Sequence, residues 1–147
     1  MSATFDMPVR IRFAHCDPAG IVFFPQYLVM TNALVEDWFT DRLGIDYAHM
    51  IEQRRVGLPI VKLDCSFSRP SRMGETVTLS LTVSTIGRRS ISIDIVGHCG
   101  EEVRFRAAQV LVTTSFETGQ SIDIPADIAS ALATFAPQLD SIEAHRS

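Results

Sequence analysis

One segment, residues 25–43, constrains the fold more than any other feature of the sequence, because it is apolar around most of a predicted helix. Its apolar side chains recur at the spacing of successive helical turns, at Tyr27, Met30, Leu34, Val35 and Trp38. Pro25 suits the first turn, where its missing N–H needs no partner, and Gly44 follows the last periodic residue as a helix-ending glycine. A helix this apolar must be covered on most sides, which predicts a sheet wrapped around it.

Five other segments alternate apolar and polar side chains, which is the period of half-buried β-strands. They include residues 9–13, 63–67, 77–83, 91–95 and 103–115, and glycines in the breaks between them indicate turns. The order is one strand, the long helix, then four strands, and Pro125 opens a short last helix. We therefore predict an α+β fold, with a five-stranded antiparallel sheet around one helix. We expect residues 1–147 to form a single domain and residues 138–147 to be a frayed tail.

Composition narrows the classes of function. The chain of 147 residues is 46% apolar with a net charge of −4, which is typical of a soluble globular domain and gives no reason to expect nucleic acid as a partner. No apolar run is long enough to span a membrane, and residues 1–6 lack the features of a signal peptide, so we expect a cytoplasmic protein. Cys16, Cys65 and Cys99 form neither a disulfide framework nor a metal-binding pattern, so no metal is expected.

Asp17 is the residue whose position most suggests chemistry. It follows the first strand and begins the turn Asp17-Pro18-Ala19-Gly20, just before the long helix. An aspartate before proline is common turn chemistry, and that is the structural interpretation. The functional interpretation is a carboxylate near a helix N-terminus, where free N–H groups stabilise a developing oxyanion and the carboxylate acts as nucleophile or general base. The residues alone leave both interpretations open.

Residues 15–27, HCDPAGIVFFPQY, resemble the active-site segment of the 4-hydroxybenzoyl-CoA thioesterase family, which has the pattern Asp-x-x-Gly-hydrophobic-x-x-x-Pro-x-Tyr. Residues 57–61, GLPIV, and 65–67, CSF, look like the family's second strand, and residues 87–90, GRRS, lie where the family often carries basic residues. The resemblance covers roughly residues 8–115. It implies the hotdog fold and the hydrolysis of an acyl-CoA thioester, with no cofactor beyond the coenzyme A of the substrate.

The resemblance also assigns roles to residues. Asp17 matches the catalytic carboxylate, the backbone N–H of Phe24 polarises the thioester carbonyl, and Gly20 is the turn glycine beside the ligand. Substrate-binding residues are expected at Arg88, Arg89 and Ser90 for coenzyme A, and at His15, Pro25, Tyr27 and Asn32 nearer the acyl group. His15 and Asn32 differ from the residues expected in 4-hydroxybenzoyl-specific members, which leaves an aromatic or a short to medium acyl group open.

Two alternatives to an acyl-CoA hydrolase remain. One is an acyl-carrier-protein thioesterase, which would favour a basic docking surface around Arg69, Arg72, Arg88 and Arg89. The other is a non-catalytic acyl-CoA-binding module, against which the presence of Asp17 argues.

Because a five-stranded sheet around one helix has open edges, we expect a homodimer or homotetramer. The resemblance implies a site between subunits, with the Asp17 helix from one chain and coenzyme-binding residues from a neighbour.

Overall fold

A computed structural model describes residues 3–139, and its long helix and the five strands of its main sheet follow the predicted order of one strand, the helix and four strands, with shorter elements between them. The elements are β1 Phe5–Arg10, α1 Pro25–Asp37, α2 Tyr47–Glu52, β2 Val56–Gly57, β3 Ile60–Phe67, β4 Thr76–Ile86, β5 Ser90–Cys99, β6 Glu102–Val112, β7 Thr114–Ser115 and α3 Ala126–Phe135. From residue 140 onward, the predicted frayed tail lies outside the described residues. Between residues 3 and 139, no helix has the length and apolar character needed to cross a membrane.

The long strands form one antiparallel sheet of five strands in the order β1-β4-β5-β6-β3, and β2 pairs with β7 in a separate ribbon. The predicted alternation is present: apolar side chains of β4 and β5 share one buried face, with Leu81 opposite Ile95. The helix lies against this face, and Trp38 and Phe39 are fully buried, which confirms that they belong to the core. The predicted α+β fold, a five-stranded sheet covered by a long helix, is therefore correct.

The long helix ends where the sequence predicts, at Gly44. Its last turns, Trp38–Leu43, are π-helical, a wider winding that the spacing of apolar residues does not reveal. Gly44 then adopts a φ of +74°, and the N–H of Ile45 donates to Phe39 O at 2.9 Å, which closes the helix end.

The predicted strand over residues 9–13 is wrong at its end. β1 stops at Arg10, and Phe13 begins a single 3-10 turn, Phe13–His15, in which its side chain is 82% exposed. The physical reason is local: the N–H of Arg12 donates to His15 Nδ1 at 2.9 Å, so a side chain takes the place of a neighbouring strand. The alternation of apolar and polar residues does not reveal that the side chain of His15 competes with strand pairing for the N–H of Arg12.

Candidate active site

Asp17 lies in a short hairpin between β1 and α1. Cys16 pairs with Val22 across the hairpin, and the N–H of Asp17 donates to Ile21 O at 2.9 Å. The N–H of Gly20 donates to Asp17 O at 2.9 Å and closes a tight turn. Gly20 has a φ of +78°, a conformation that glycine adopts at little cost, which explains the glycine of the motif. The hairpin continues directly into α1.

The carboxylate of Asp17 has one engaged oxygen and one free oxygen. Oδ1 accepts the N–H of Ala19 at 2.9 Å, which is the hydrogen bond expected of a turn aspartate. Oδ2 has no hydrogen-bond partner in residues 3–139, and the residue is only partly buried. The structural and functional interpretations are thus compatible, because one oxygen fixes the turn and the other can act on a ligand.

The backbone N–H of Phe24 is the free donor at the start of α1. The two preceding N–H groups are occupied, since Val22 donates to Ser71 O and Phe23 donates to His15 O, each at 2.9 Å. Phe24 is already in the α-helical conformation, with φ −52° and ψ −35°, and no acceptor in the described part of the chain binds its N–H. A free N–H at the positive end of a helix can stabilise negative charge on a carbonyl oxygen.

A buried polar network fastens the hairpin to the sheet, and sequence reasoning did not identify it. The hydroxyl of Tyr27 donates to Ser71 Oγ at 2.8 Å, and Arg104 Nη1 donates to the same oxygen at 3.3 Å. Arg104 also donates to Pro70 O at 3.1 Å and to both oxygens of Glu75, at 2.8 and 3.0 Å. These contacts join the first turn of α1, the segment before β4 and the strand β6. Because Ser71 O accepts the N–H of Val22, the network directly supports the hairpin.

The ionisation of Glu75 reflects this network. Hydrogen bonds from the Arg104 guanidinium, and then the N–H of Arg72, lower the pKa of Glu75 from 4.5 to about 2. The same contact with Glu75 raises the pKa of Arg104, whose side chain is only 8% exposed. Burial raises the pKa of Tyr27, so its hydroxyl stays protonated and remains a donor to Ser71. Glu75 and Arg104 therefore both stay charged at neutral pH.

Several of the residues predicted for the substrate surround the hairpin. A shallow pocket of about 250 Å³ lies against Ile21, Phe24 and Phe67, with Arg69 at its side. Pro25 begins α1 next to this pocket. Tyr27 also lines it, although the ring is buried against Phe105 at 4.3 Å between centroids. The role of Tyr27 in contacting substrate stays a prediction, while its role in holding the start of α1 is visible.

His15 and Asn32 occupy different surroundings. The imidazole of His15 caps the 3-10 turn through Nδ1, which leaves its other nitrogen without a partner in the described residues. Asn32 is exposed on α1, eight residues after Phe24, so the helical rise places it about 12 Å along the axis. It lines a second cleft, between α1 and the start of β3.

Arg88, Arg89 and Ser90 lie at the opposite end of the sheet from Asp17. The hairpin contacts the residues that lead into β4, since the N–H of Met73 donates to Gly20 O at 3.3 Å, whereas the arginines follow the last residue of that strand. At about 3.3 Å per residue, the strand separates the two sites by roughly 30 Å. One chain therefore does not bring together all the residues predicted for the site.

The two arginines share one carboxylate. Arg89 Nε lies 2.8 Å and Arg88 Nε 3.1 Å from Asp123 Oδ1, and these contacts, that of Arg89 first, lower the pKa of Asp123. Asp123 balances one of the two positive charges. The turn therefore keeps a net positive charge at an exposed position, which suits an anionic ligand.

Comparison with known proteins places the chain in a family. Residues 11–132 match the family model described as the thioesterase-like superfamily. The chain is 29% identical over 136 residues to the 4-hydroxybenzoyl-CoA thioesterase of Pseudomonas sp. (strain CBS-3), covering 86% of this chain and 96% of the relative. It is 32% identical over 85 residues to a 1,4-dihydroxy-2-naphthoyl-CoA hydrolase of Synechococcus elongatus, covering 57% of this chain and 62% of the relative.

Solved structures agree on the fold. A gentisyl-coenzyme A thioesterase superposes with a TM-score of 0.80 at 23% identity, over 90% of this chain and all of that one. The Pseudomonas 4-hydroxybenzoyl-CoA thioesterase superposes with a TM-score of 0.78 at 24% identity, over 88% of this chain and 99% of that one. These likenesses confirm the predicted hotdog fold. The family match and the named relatives also confirm the predicted enzyme class, a thioester hydrolase, and the chain belongs to the thioesterase-like superfamily.

Proposed function

We propose that this protein hydrolyses aromatic acyl-CoA thioesters to the free acid and coenzyme A, with Asp17 as the catalytic carboxylate. The observation that carries the proposal is the unpaired N–H of Phe24 at the start of α1, together with the free carboxylate oxygen of Asp17 in the hairpin that leads into this helix. The similar proteins support an aromatic acyl group, since their names specify 4-hydroxybenzoyl, 1,4-dihydroxy-2-naphthoyl and gentisyl thioesters.

The proposed reaction uses these two groups together. The thioester carbonyl oxygen accepts the N–H of Phe24, so negative charge that develops on this oxygen faces the positive end of α1. Asp17 then acts in one of two ways. It removes a proton from a water molecule that attacks the carbonyl carbon, or it attacks that carbon itself and forms an anhydride that water hydrolyses. In both routes the C–S bond breaks, and the thiolate of coenzyme A leaves and takes up a proton.

The edge of β3 supports the proposal of a homodimer. In residues 3–139 no strand pairs with the outer edge of β3, and its apolar side chains Val61, Leu63 and Phe67 are 61%, 40% and 49% exposed. The opposite edge strand, β1, contains Pro8, which has no N–H to offer to another strand. An antiparallel pairing of two β3 strands about a twofold axis would bury these side chains. It would also give hydrogen-bond partners to the backbone N–H and C=O groups on the free edge.

This pairing would also reunite the divided site. Antiparallel pairing brings the Ile60 end of one β3 to the Phe67 end of the other. Phe67 packs against Phe24 with 6.0 Å between ring centroids, so it marks the catalytic end of its chain. Ile60 pairs with Leu111 at the other end, beside the turn that carries Arg88 and Arg89. We therefore propose that each site combines Asp17 of one chain with the basic turn of its partner. The homotetramer and the cytoplasmic location stay predictions.

A subunit-mixing experiment tests the shared site. Asp17→Asn should be nearly inactive, and Arg88→Ala with Arg89→Ala should have a raised KM for benzoyl-CoA. A hybrid dimer of one Asp17→Asn chain and one chain with both arginine changes can be purified through two different affinity tags. It should contain one complete site, made of Asp17 from the second chain and the basic turn of the first. It should therefore show the wild-type KM with about half the wild-type activity per dimer. A site within one chain would leave the hybrid without any complete site, so a hybrid that retains the raised KM would contradict the shared site. Thiol release gives the rate.

The carrier-protein alternative needs a separate test. Within one chain, Arg69 and Arg72 lie beside the hairpin, whereas Arg88 and Arg89 lie at the other end of the sheet. The proposed pairing of β3 would bring the basic turn of the partner to the hairpin, so the positions of these arginines do not separate the two carriers. Kinetics with benzoyl groups on coenzyme A and on acyl carrier protein separate the two functions. We expect a higher kcat/KM for the coenzyme A thioester, and a clear preference for the carrier protein would overturn this choice.

A further inference from the structure

A cleft of about 400 Å³ between α1 and the start of β3 has no place in the catalytic step. Its walls and floor include Asn32, Glu36, Tyr47, Ile60, Leu111 and Gln109. Two of the lining residues, Gln109 and Leu111, belong to the inner face of β6, which is otherwise apolar at neighbouring positions. Gln109 is the exception, because it is in phase with Ala107 and Leu111 on that face and is only 2% exposed.

Two hydrogen bonds fix the orientation of the Gln109 amide. The hydroxyl of Thr31 donates its single hydrogen to Leu28 O at 2.9 Å. Its oxygen is therefore left to accept from Gln109 Nε2, at 3.2 Å. In this orientation the amide nitrogen of Gln109 faces α1, and its carbonyl oxygen, Oε1, takes no part in the contact with Thr31. Among the described residues, Gln109 Oε1 has no hydrogen-bond partner.

An unpaired buried carbonyl oxygen is costly, and nearly all buried polar groups in native proteins are paired. An apolar side chain of similar size at this position would fill the same space without the cost. The amide is therefore better explained by a ligand than by packing. Oε1 is almost inaccessible to solvent, so a ligand would reach it only when the side chains that cover it shift, and a hydrogen bond formed there would be stronger than at an exposed site.

We propose that Gln109 recognises a hydrogen-bond donor, such as a ring hydroxyl, on the acyl group of the substrate. This inference rests on the proposed function and on the proposed pairing of β3, which would set the cleft of one chain beside Phe24 of the other. An aromatic ring would enter the cleft beside Ile60 and Leu111 and direct its hydroxyl at Gln109 Oε1. Asn32 and Glu36 offer polar groups for a second substituent near the rim.

The experiment compares matched thioesters on matched variants. Wild type, Gln109→Leu and Gln109→Met are assayed with benzoyl-CoA, 3-hydroxybenzoyl-CoA and 4-hydroxybenzoyl-CoA. A site built to pair with a hydroxyl rejects the analogue that lacks it, so we expect wild type to favour at least one hydroxylated thioester by about 10-fold or more in kcat/KM. Both variants should lose that preference, because kcat/KM should fall far more for the hydroxylated thioester than for benzoyl-CoA. Gln53→Leu, a change at an exposed glutamine, should alter neither value.

The outcomes separate this inference from the proposed function. Hydrolysis of benzoyl-CoA without any preference for a hydroxyl group, or a preference that survives in both variants, would overturn the role of Gln109 and leave the thioesterase intact. Failure of wild type to hydrolyse any of the three thioesters would overturn both proposals. Circular dichroism and thermal denaturation check the variants. If neither variant folds, Gln109 is a structural residue, which would also overturn the inference.

Discussion

The ion pair between Glu75 and Arg104 allows a quantitative test of the network behind the hairpin. Glu75→Gln keeps the shape of the side chain and removes its charge, leaving a guanidinium that is 8% exposed. Removing one partner of a buried pair costs about 3–5 kcal/mol. Two features reduce this value: Glu75 is 33% exposed, and Glu102 Oε1 lies 2.8 Å from Arg104 Nε. We therefore expect a loss of about 2 kcal/mol in the free energy of unfolding at pH 7.

The pH dependence of this loss follows from the pKa of Glu75. Its pKa is about 2 in the folded protein and 4.5 ordinarily, so the folded state favours the charged form. The stabilisation is complete above about pH 5 and is lost as the pH falls through 4.5 towards 2. The difference between wild type and Glu75→Gln should therefore shrink to roughly half by pH 3.

Urea denaturation at a fixed protein concentration measures both quantities, because the concentration of an oligomer affects its apparent stability. Glu102→Gln, a change at a more exposed carboxylate, is the matched control and should cost less than about 1 kcal/mol. A difference of the same size at pH 7 and pH 3 would refute the reasoning, as would a cost below about 0.5 kcal/mol at pH 7.

Three further changes test other parts of the account. Phe24→Pro removes the proposed oxyanion donor at a φ of −52° that proline tolerates, so kcat should fall by about 10²–10³-fold, whereas Phe24→Ala keeps the N–H and should lose much less; equal losses in thioesterase assays would contradict the donor role. Gly97→Ala would place a methyl group against the ring of Phe105 and should cost about 1–3 kcal/mol in urea denaturation, and an unchanged midpoint would show that the ring moves freely. Arg88→Ala with Arg89→Ala should raise KM more than it lowers kcat, and raising the salt concentration should increase the wild-type KM more than that of the double variant; an identical salt response would place coenzyme A elsewhere.

The fold could be predicted largely because periodicity reports local geometry. The apolar pattern of residues 25–43 predicted the long helix and its end at Gly44, both confirmed, and alternation predicted the five strands. The end of β1 was missed because the bond from Arg12 to His15 replaces a strand pairing that alternation cannot distinguish.

The candidate site was predicted less completely, since parts of it depend on distant residues. The composition of residues 17–20 predicted the turn at Asp17 because these residues are close in sequence, whereas the role of Phe24 came from the family resemblance and stays a prediction. The contacts of Arg104 with Glu75 and Ser71 join residues 29 and 33 positions apart, and no local pattern reveals them. Gln109 carried a readable signal, a polar residue in phase with the apolar face of its strand, but its unpaired oxygen becomes visible only when the partners are placed.

The central claim is that Asp17 performs the chemistry, and the most direct measurement is kcat of Asp17→Asn with benzoyl-CoA. Asparagine keeps the oxygen that accepts the N–H of Ala19, so the turn and substrate binding should persist while the charged oxygen is lost. We predict a fall in kcat of about 10²-fold or more, with KM and the thermal midpoint nearly unchanged. A variant that folds, binds the thioester and turns over within a few-fold of wild type would contradict the assignment of Asp17.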